Sequence, residues 1–138
     1  MASKIECIKK ACIITDEIFI LILKNIKAMK TEKDIDNLIR KEARKRKLKI
    51  AFPPVVGSAK NAAEIHHKPN KSKLKKGFLV LDFGVKVGGC CSDMTRTIYL
   101  GKASKKENLH FGILFLQNNG RRKYCGLRHL QYFNGQYS

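Results

Sequence analysis

Apolar side chains recur at steps of three and four near the start of the chain: Ile5, Ile8, Cys12, Thr15, Phe19, Ile22 and Ile26. That period predicts an amphipathic helix over residues 3–29. The pattern breaks at Ala28-Met29-Lys30. Thr31 then reads as an N-cap, with Asp34 three residues on in the capping-box position, a shorter substitute for the usual Glu. A second helix follows with Ile35, Leu38, Ile39 and Leu48 as apolar candidates. Its last turns carry Lys41, Arg44, Lys45, Arg46 and Lys47, which suit the negative end of a helix dipole.

From residue 50 the period shortens. Ile50-Ala51-Phe52 leads through Pro53-Pro54 into Val55-Val56-Gly57, and the proline pair predicts a sheet edge or corner, because proline cannot donate to a ladder. Ala62 to Ile65 reads as a short strand, and His66-His67-Lys68-Pro69-Asn70 as a loop. Phe78-Leu79-Val80-Leu81-Asp82-Phe83 is a buried-strand run. Gly88-Gly89 is a hairpin turn, and Cys90 to Leu100 returns as a strand. Two helices followed by antiparallel strands predict an α+β domain. No internal repeat and no dinucleotide-binding glycine fingerprint occurs.

The chain has 138 residues, with 29 Lys+Arg against 11 Asp+Glu and a formal net charge of +18. Residues 108–138 hold four basic side chains and no acid, and are rich in Asn, Gly, Gln and Tyr. The composition shift divides the chain into residues 1–106 and a tail, 107–138, expected to be an aberrant product of a reading-frame shift and poorly ordered. The longest apolar run ends at Lys24, too short to span a bilayer. Five cysteines without a CxxC spacing read as reduced thiols, hence a cytoplasmic protein. The basic cluster at residues 41–47 is either a solvated helix end or a polyanion contact; no aromatic residue interleaves with it, which argues against nucleic acid.

Asp82 stands inside an apolar strand and Asp93 on the returning one. A carboxylate in such a setting is costly unless it meets a cation or several donors. Both could converge on one divalent ion, and hard oxygen ligands suit Mg, Mn or Co. Equally, each could satisfy backbone N–H groups or pair with Arg96. His66 and His67 are either surface residues or contacts to a substrate carbonyl or a metal. Asp82-Phe83-Gly84 also occurs in protein kinases, but the catalytic loop and strand lysine that such a site needs are missing.

Four stretches together resemble the "pita-bread" metallopeptidases: Xaa-Pro aminopeptidases, Xaa-Pro dipeptidases (prolidases) and methionine aminopeptidases. These are Lys9-Lys10-Ala11-Cys12-Ile13-Ile14-Thr15-Asp16-Glu17; Phe52-Pro53-Pro54-Val55-Val56 followed by Asn61-Ala62-Ala63 and His66; Leu74-Lys75-Lys76-Gly77 with Asp82-Phe83-Gly84; and Ser92-Asp93-Met94-Thr95-Arg96-Thr97. The last is the most specific and is closer to the Xaa-Pro enzymes. The resemblance covers residues 4–106 and implies the first half of a pita-bread catalytic domain.

It also implies roles. Asp82 matches the carboxylate that binds one of two divalent metals, Mn or Co, and Asp93 the carboxylate that bridges both. His66 matches a histidine that contacts the substrate near the scissile carbonyl; His67 is expected to be the more tolerant of substitution. The family's remaining ligands, one His and two Glu, have no counterpart here, so the chain alone is expected to be inactive. The implied substrate is a peptide with proline at its second position, with a homodimer left open. A second reading keeps the fold as a non-catalytic binding protein for RNA or another polyanion.

Overall fold

The computed structural model describes residues 3–107. Helix α1 spans Lys4–Asn25 and continues as a 3-10 turn, Ile26–Ala28; α2 spans Glu32–Lys45. Strands β1 (Lys49–Ile50) and β2 (Val55–Ser58) precede a 3-10 helix, Ala59–Ala63. Then come β3 (Gly77–Phe83), β4 (Val85–Val87), β5 (Cys90–Cys91) and β6 (Met94–Leu100). The strands form two antiparallel sheets, ordered β1-β4-β5 and β2-β3-β6. The α+β order expected from the periodicities is the one observed. The tail from residue 108 lies outside the described residues.

Both helices start on capping boxes. Ser3 and Glu6 exchange side chain-to-backbone bonds at the head of α1, and Thr31 and Asp34 do so at α2, where the shorter Asp closes the box. The buried seam of α1 differs from the expected one by about one residue of rotation. Ile5 and Ile8 are 66% and 42% exposed. The inner face runs instead through Cys7, which touches the β4–β5 turn, then Ala11, Thr15, Ile18, Phe19, Ile22 and Ile26. Small side chains at Cys7, Ala11 and Thr15 let the helix approach the sheet closely, a requirement that a search for large apolar residues overlooks.

On β3, Leu79, Leu81 and Phe83 are buried and join Val56, Ile98, Ile18, Ile22, Ile35 and Ile39 in one core. Phe78, Val80 and Asp82 alternate onto the opposite face, where they are half-buried. The proline pair precedes β2, which is an edge strand as expected. Of the strand expected over residues 62–65, Ala62 and Ala63 end the 3-10 helix and Glu64 and Ile65 lie in no strand. Asn61 explains the difference: its side chain is drawn to Glu32, and its carbonyl packs so closely over Gly57 that a Cβ there would lie 2.6 Å from it. The single strand expected from Cys90 to Leu100 is broken. β5 belongs to one sheet and β6 to the other, and Ser92-Asp93 makes the crossing.

Candidate functional site

That crossing brings the two carboxylates together. Gly84 joins β3 to β4 directly beneath it, and a Cβ at Gly84 would collide with the Ser92 carbonyl. Only glycine allows this approach. Ser92 is buried, and its Oγ accepts from the Val85 N–H at 2.9 Å and lies 2.6 Å from Thr15 Oγ1 on α1. Thr15 in turn donates to the Ala11 carbonyl at 2.9 Å. Asp82, two residues before Gly84, and Asp93, one after Ser92, are therefore held by the same junction.

Asp82 pairs in register with Thr95 on β6, whose hydroxyl donates to Asp82 Oδ1 at 3.1 Å. Asp93 is exposed and Asp82 half-buried. The Asp82 carboxyl is raised above its ordinary value, first by burial and then by the like charge and shared hydrogen bond of Asp93. The Thr95 bond and the nearby His66 act the other way. Asp93 and His66, the other two residues singled out in the sequence, thus both act on Asp82. Arg96 does not serve the carboxylates: it pairs with Asp16 at 3.3 Å and lies over the Phe19 ring.

A carboxylate whose ionised form is disfavoured by burial and a neighbouring carboxylate is relieved by a cation, and the hard oxygens of such a pair fit a divalent metal. Among the described residues no third His, Cys, Asp or Glu joins them in a metal-holding group. Asp82 and Asp93 therefore fit as part of a ligand set.

His66 is exposed on a loop whose anchorage the sequence did not reveal. Glu32, in the first turn of α2, has no exposed surface. Its Oε1 accepts from the Ser58 N–H and from Asn61 Nδ2, both at 2.9 Å. Its Oε2 accepts from His67 Nε2 at 2.7 Å and the Asn70 N–H at 3.4 Å. The Glu32 and Lys33 amides donate outward to the Ser72 and Asn70 carbonyls. The loop is thus wrapped around the N-terminus of α2, where a carboxylate is also favoured by the helix dipole.

His67, expected to be the more tolerant of the two, is the buried one. It is 6% exposed, with Glu64 Oε2 2.9 Å from Nδ1 and Glu32 on the other nitrogen. Burial alone would lower its pKa, but the two carboxylates outweigh that and raise it above the ordinary 6.5. Burial likewise works to raise Glu32, and the bonds from Asn61, Ser58, His67 and Asn70 overcome it, leaving the carboxyl below its ordinary value. An imidazolium between two carboxylates is the consistent state.

Elsewhere, Glu42 takes Lys45 at 2.8 Å and Arg46 at 2.6 Å, so two cations of the basic cluster are paired locally. Glu107, at the head of the expected tail, is bound into the fold. It accepts from the Tyr99 hydroxyl at 2.7 Å and from the Ser104 N–H at 2.6 Å, bonds that help pull its carboxyl down to about 2. The Ser104 bonds contribute most to that shift.

Comparison with known proteins gives a consistent result. The profile of metallopeptidase family M24 matches residues 6–122, running past residue 106, where the composition shift placed the boundary. A Mycoplasma genitalium protein that carries the name Xaa-Pro aminopeptidase is 40% identical over 111 residues, 79% of this chain and 31% of its own length. The prolidase of Thermococcus sibiricus is 30% identical with a TM-score of 0.75, over 85% of this chain and 33% of that one. The X-Pro aminopeptidase of Thermotoga maritima is 31% identical with a TM-score of 0.73, over 83% and 34%. The chain shares their pita-bread fold and spans about a third of the length of the curated relatives it matches.

Proposed function

Because the chain belongs to metallopeptidase family M24, we propose that it is part of the catalytic domain of a cytoplasmic Xaa-Pro-type peptidase. The substrate is a peptide with proline at its second position, and the bond hydrolysed is the one before that proline. The observation that carries this reading is that Asp93 and His66 both lie near enough to the half-buried Asp82 carboxyl to act on its charge.

Asp82 and Asp93 hold divalent metal, Mn or Co, as two of its ligands. Bound cations supply a water nucleophile at neutral pH and polarise the attacked carbonyl. The residues of this chain do the positioning. Thr95 fixes one Asp82 oxygen through its hydroxyl. Ser92 and Gly84 hold Asp93 against Asp82. His66 contacts the substrate next to the scissile carbonyl and stabilises the charge that develops on its oxygen. Glu32 and His67, both buried, keep the His66 loop in place.

The 138-residue chain alone supplies too few ligands for turnover, and an assay of Xaa-Pro cleavage in Mn2+ should read zero. A chimera carrying the remaining length of the Mycoplasma genitalium relative should cleave such a peptide. In it, Asp82→Asn or Asp93→Asn should abolish cleavage. His66→Ala should lower turnover with metal content intact. Undiminished turnover in either aspartate variant would sink the assignment, and loss of metal in His66→Ala would refute the role given to that histidine.

A further inference from the structure

Two cysteines that the peptidase reading does not use meet where α1 crosses the β4–β5 turn. Cys7 lies on the second turn of α1. Its Sγ donates to the Val87 carbonyl at 2.8 Å and lies 3.5 Å from the Gly88 carbonyl oxygen. A Cβ at Gly88 would sit 3.2 Å from the same sulfur. Cys90 is the register partner of Val87 across the Gly88-Gly89 turn. Its Sγ reaches back to the carbonyl of Lys4, one helical turn before Cys7, at 3.9 Å. Each thiol therefore leans onto the element that carries the other. The nearness of Cys7 is the first reason the Cys90 thiol is held above its ordinary pKa. Both are half-buried, within reach of a small reagent, while the adjacent Cys91 is exposed. Neighbouring strand residues point to opposite faces, so Cys91 is turned away from Cys7.

We propose that Cys7 and Cys90 form a redox modification site, which a low-molecular-weight disulfide converts to an intramolecular disulfide pinning α1 to the β4–β5 turn. One protein thiolate attacks the reagent's S–S bond and expels one small thiol, leaving a mixed disulfide. The second protein thiolate attacks the protein sulfur of that adduct and expels the other small thiol. One S–S bond breaks and one forms. The two cysteines lose two electrons and two protons, and the reagent is reduced to two thiols. In a reducing cytoplasm the pair rests as thiols and closes only when the surroundings become oxidising.

The bridge closes a long loop and removes freedom from the unfolded chain. It should raise the melting temperature by roughly 10 °C. In the reduced fold each sulfur already rests on backbone of the element that carries the other.

The test uses the full 138-residue chain, incubated with oxidised glutathione and digested without reduction for mass spectrometry. The expected product links the peptide containing Cys7 to the peptide containing Cys90. The link persists in Cys91→Ser, disappears in Cys90→Ser, and is reversed by dithiothreitol with loss of the thermal gain. A Cys90–Cys91 bridge, a stable glutathione adduct without a bridge, or a bridge to Cys125 as the main product would overturn the proposal. So would an oxidised chain that melts no higher than the reduced one. If Cys90→Ser fails to fold, the Cys91→Ser chain decides alone, because it leaves a single cysteine in the strand peptide.

Discussion

Glu32→Ala is the perturbation that the buried network makes most informative. The carboxylate is without exposed surface and accepts four bonds, at 2.9, 2.9, 2.7 and 3.4 Å. Alanine would leave the Ser58 amide and the Asn61 side chain without their acceptor, and the His67 imidazolium with only Glu64. Removing one partner of a buried ion pair costs about 3–5 kcal/mol, because the remaining charge stays desolvated. Glu32→Gln keeps the volume and one acceptor oxygen but turns its NH2 toward donors, and should cost about 1–3 kcal/mol. In a domain of this size a loss of about 3 kcal/mol lowers the melting point by more than about 10 °C. Urea denaturation followed by circular dichroism at pH 6 measures both variants. At that pH Glu32 is ionised and His67 protonated. The m-value should stay constant, so that the midpoint shift reports stability. Hydrogen exchange should rise selectively at the amides of residues 64–70, the loop that carries His66. A loss below about 1 kcal/mol in Glu32→Ala would refute the argument that this carboxylate anchors the loop.

The pH dependence follows from His67. Its folded pKa is raised above the ordinary 6.5, so its contribution is complete below that value and is lost as pH rises through the folded one. The stability gap between the wild type and His67→Gln should therefore be widest near pH ~6 and narrow toward pH ~8, and a gap that widens with pH would contradict the ion-pair assignment. Thr95→Val removes the hydroxyl that favours the Asp82 carboxylate. Its Asp82 carboxyl should titrate still higher by carbon-detected NMR, and a lower value would contradict the geometry. Gly84→Ala places a Cβ against the Ser92 carbonyl, which belongs to backbone and cannot step aside. A folded Gly84→Ala chain with native NMR dispersion would show that the β3–β4 junction is looser than described.

The elements that carry the site were legible because their signals are local. Phe78 to Phe83 reads as a buried strand from composition alone, and Thr31 with Asp34 reads as a helix start from spacing alone. The motif around Asp93 exposed the second carboxylate. What the pattern could not give was long-range pairing. Glu32 looks like any acid in a first helical turn, and nothing in its neighbourhood shows that residues 26 to 38 positions later will close over it. For the same reason His67 reads as a surface loop residue. Residues 62–65 read as a strand until the Asn61 side chain just before them is seen to bond Glu32 on α2. The seam of α1 was misplaced because the helix presents small residues to the sheet, and size was the criterion by which an inner face was sought.

The central claim is that Asp82 and Asp93 are ligands of one divalent-metal site beside His66. The direct measurement is a Mn2+ titration of the 15N-labelled chain, read as paramagnetic broadening of its amide resonances. The account predicts broadening that begins at residues 82, 93 and 95 and extends to 66, and that is lost in Asp82→Asn and Asp93→Asn. Broadening centred on Asp34 and Asp36, or spread evenly over the acidic surface, would contradict it.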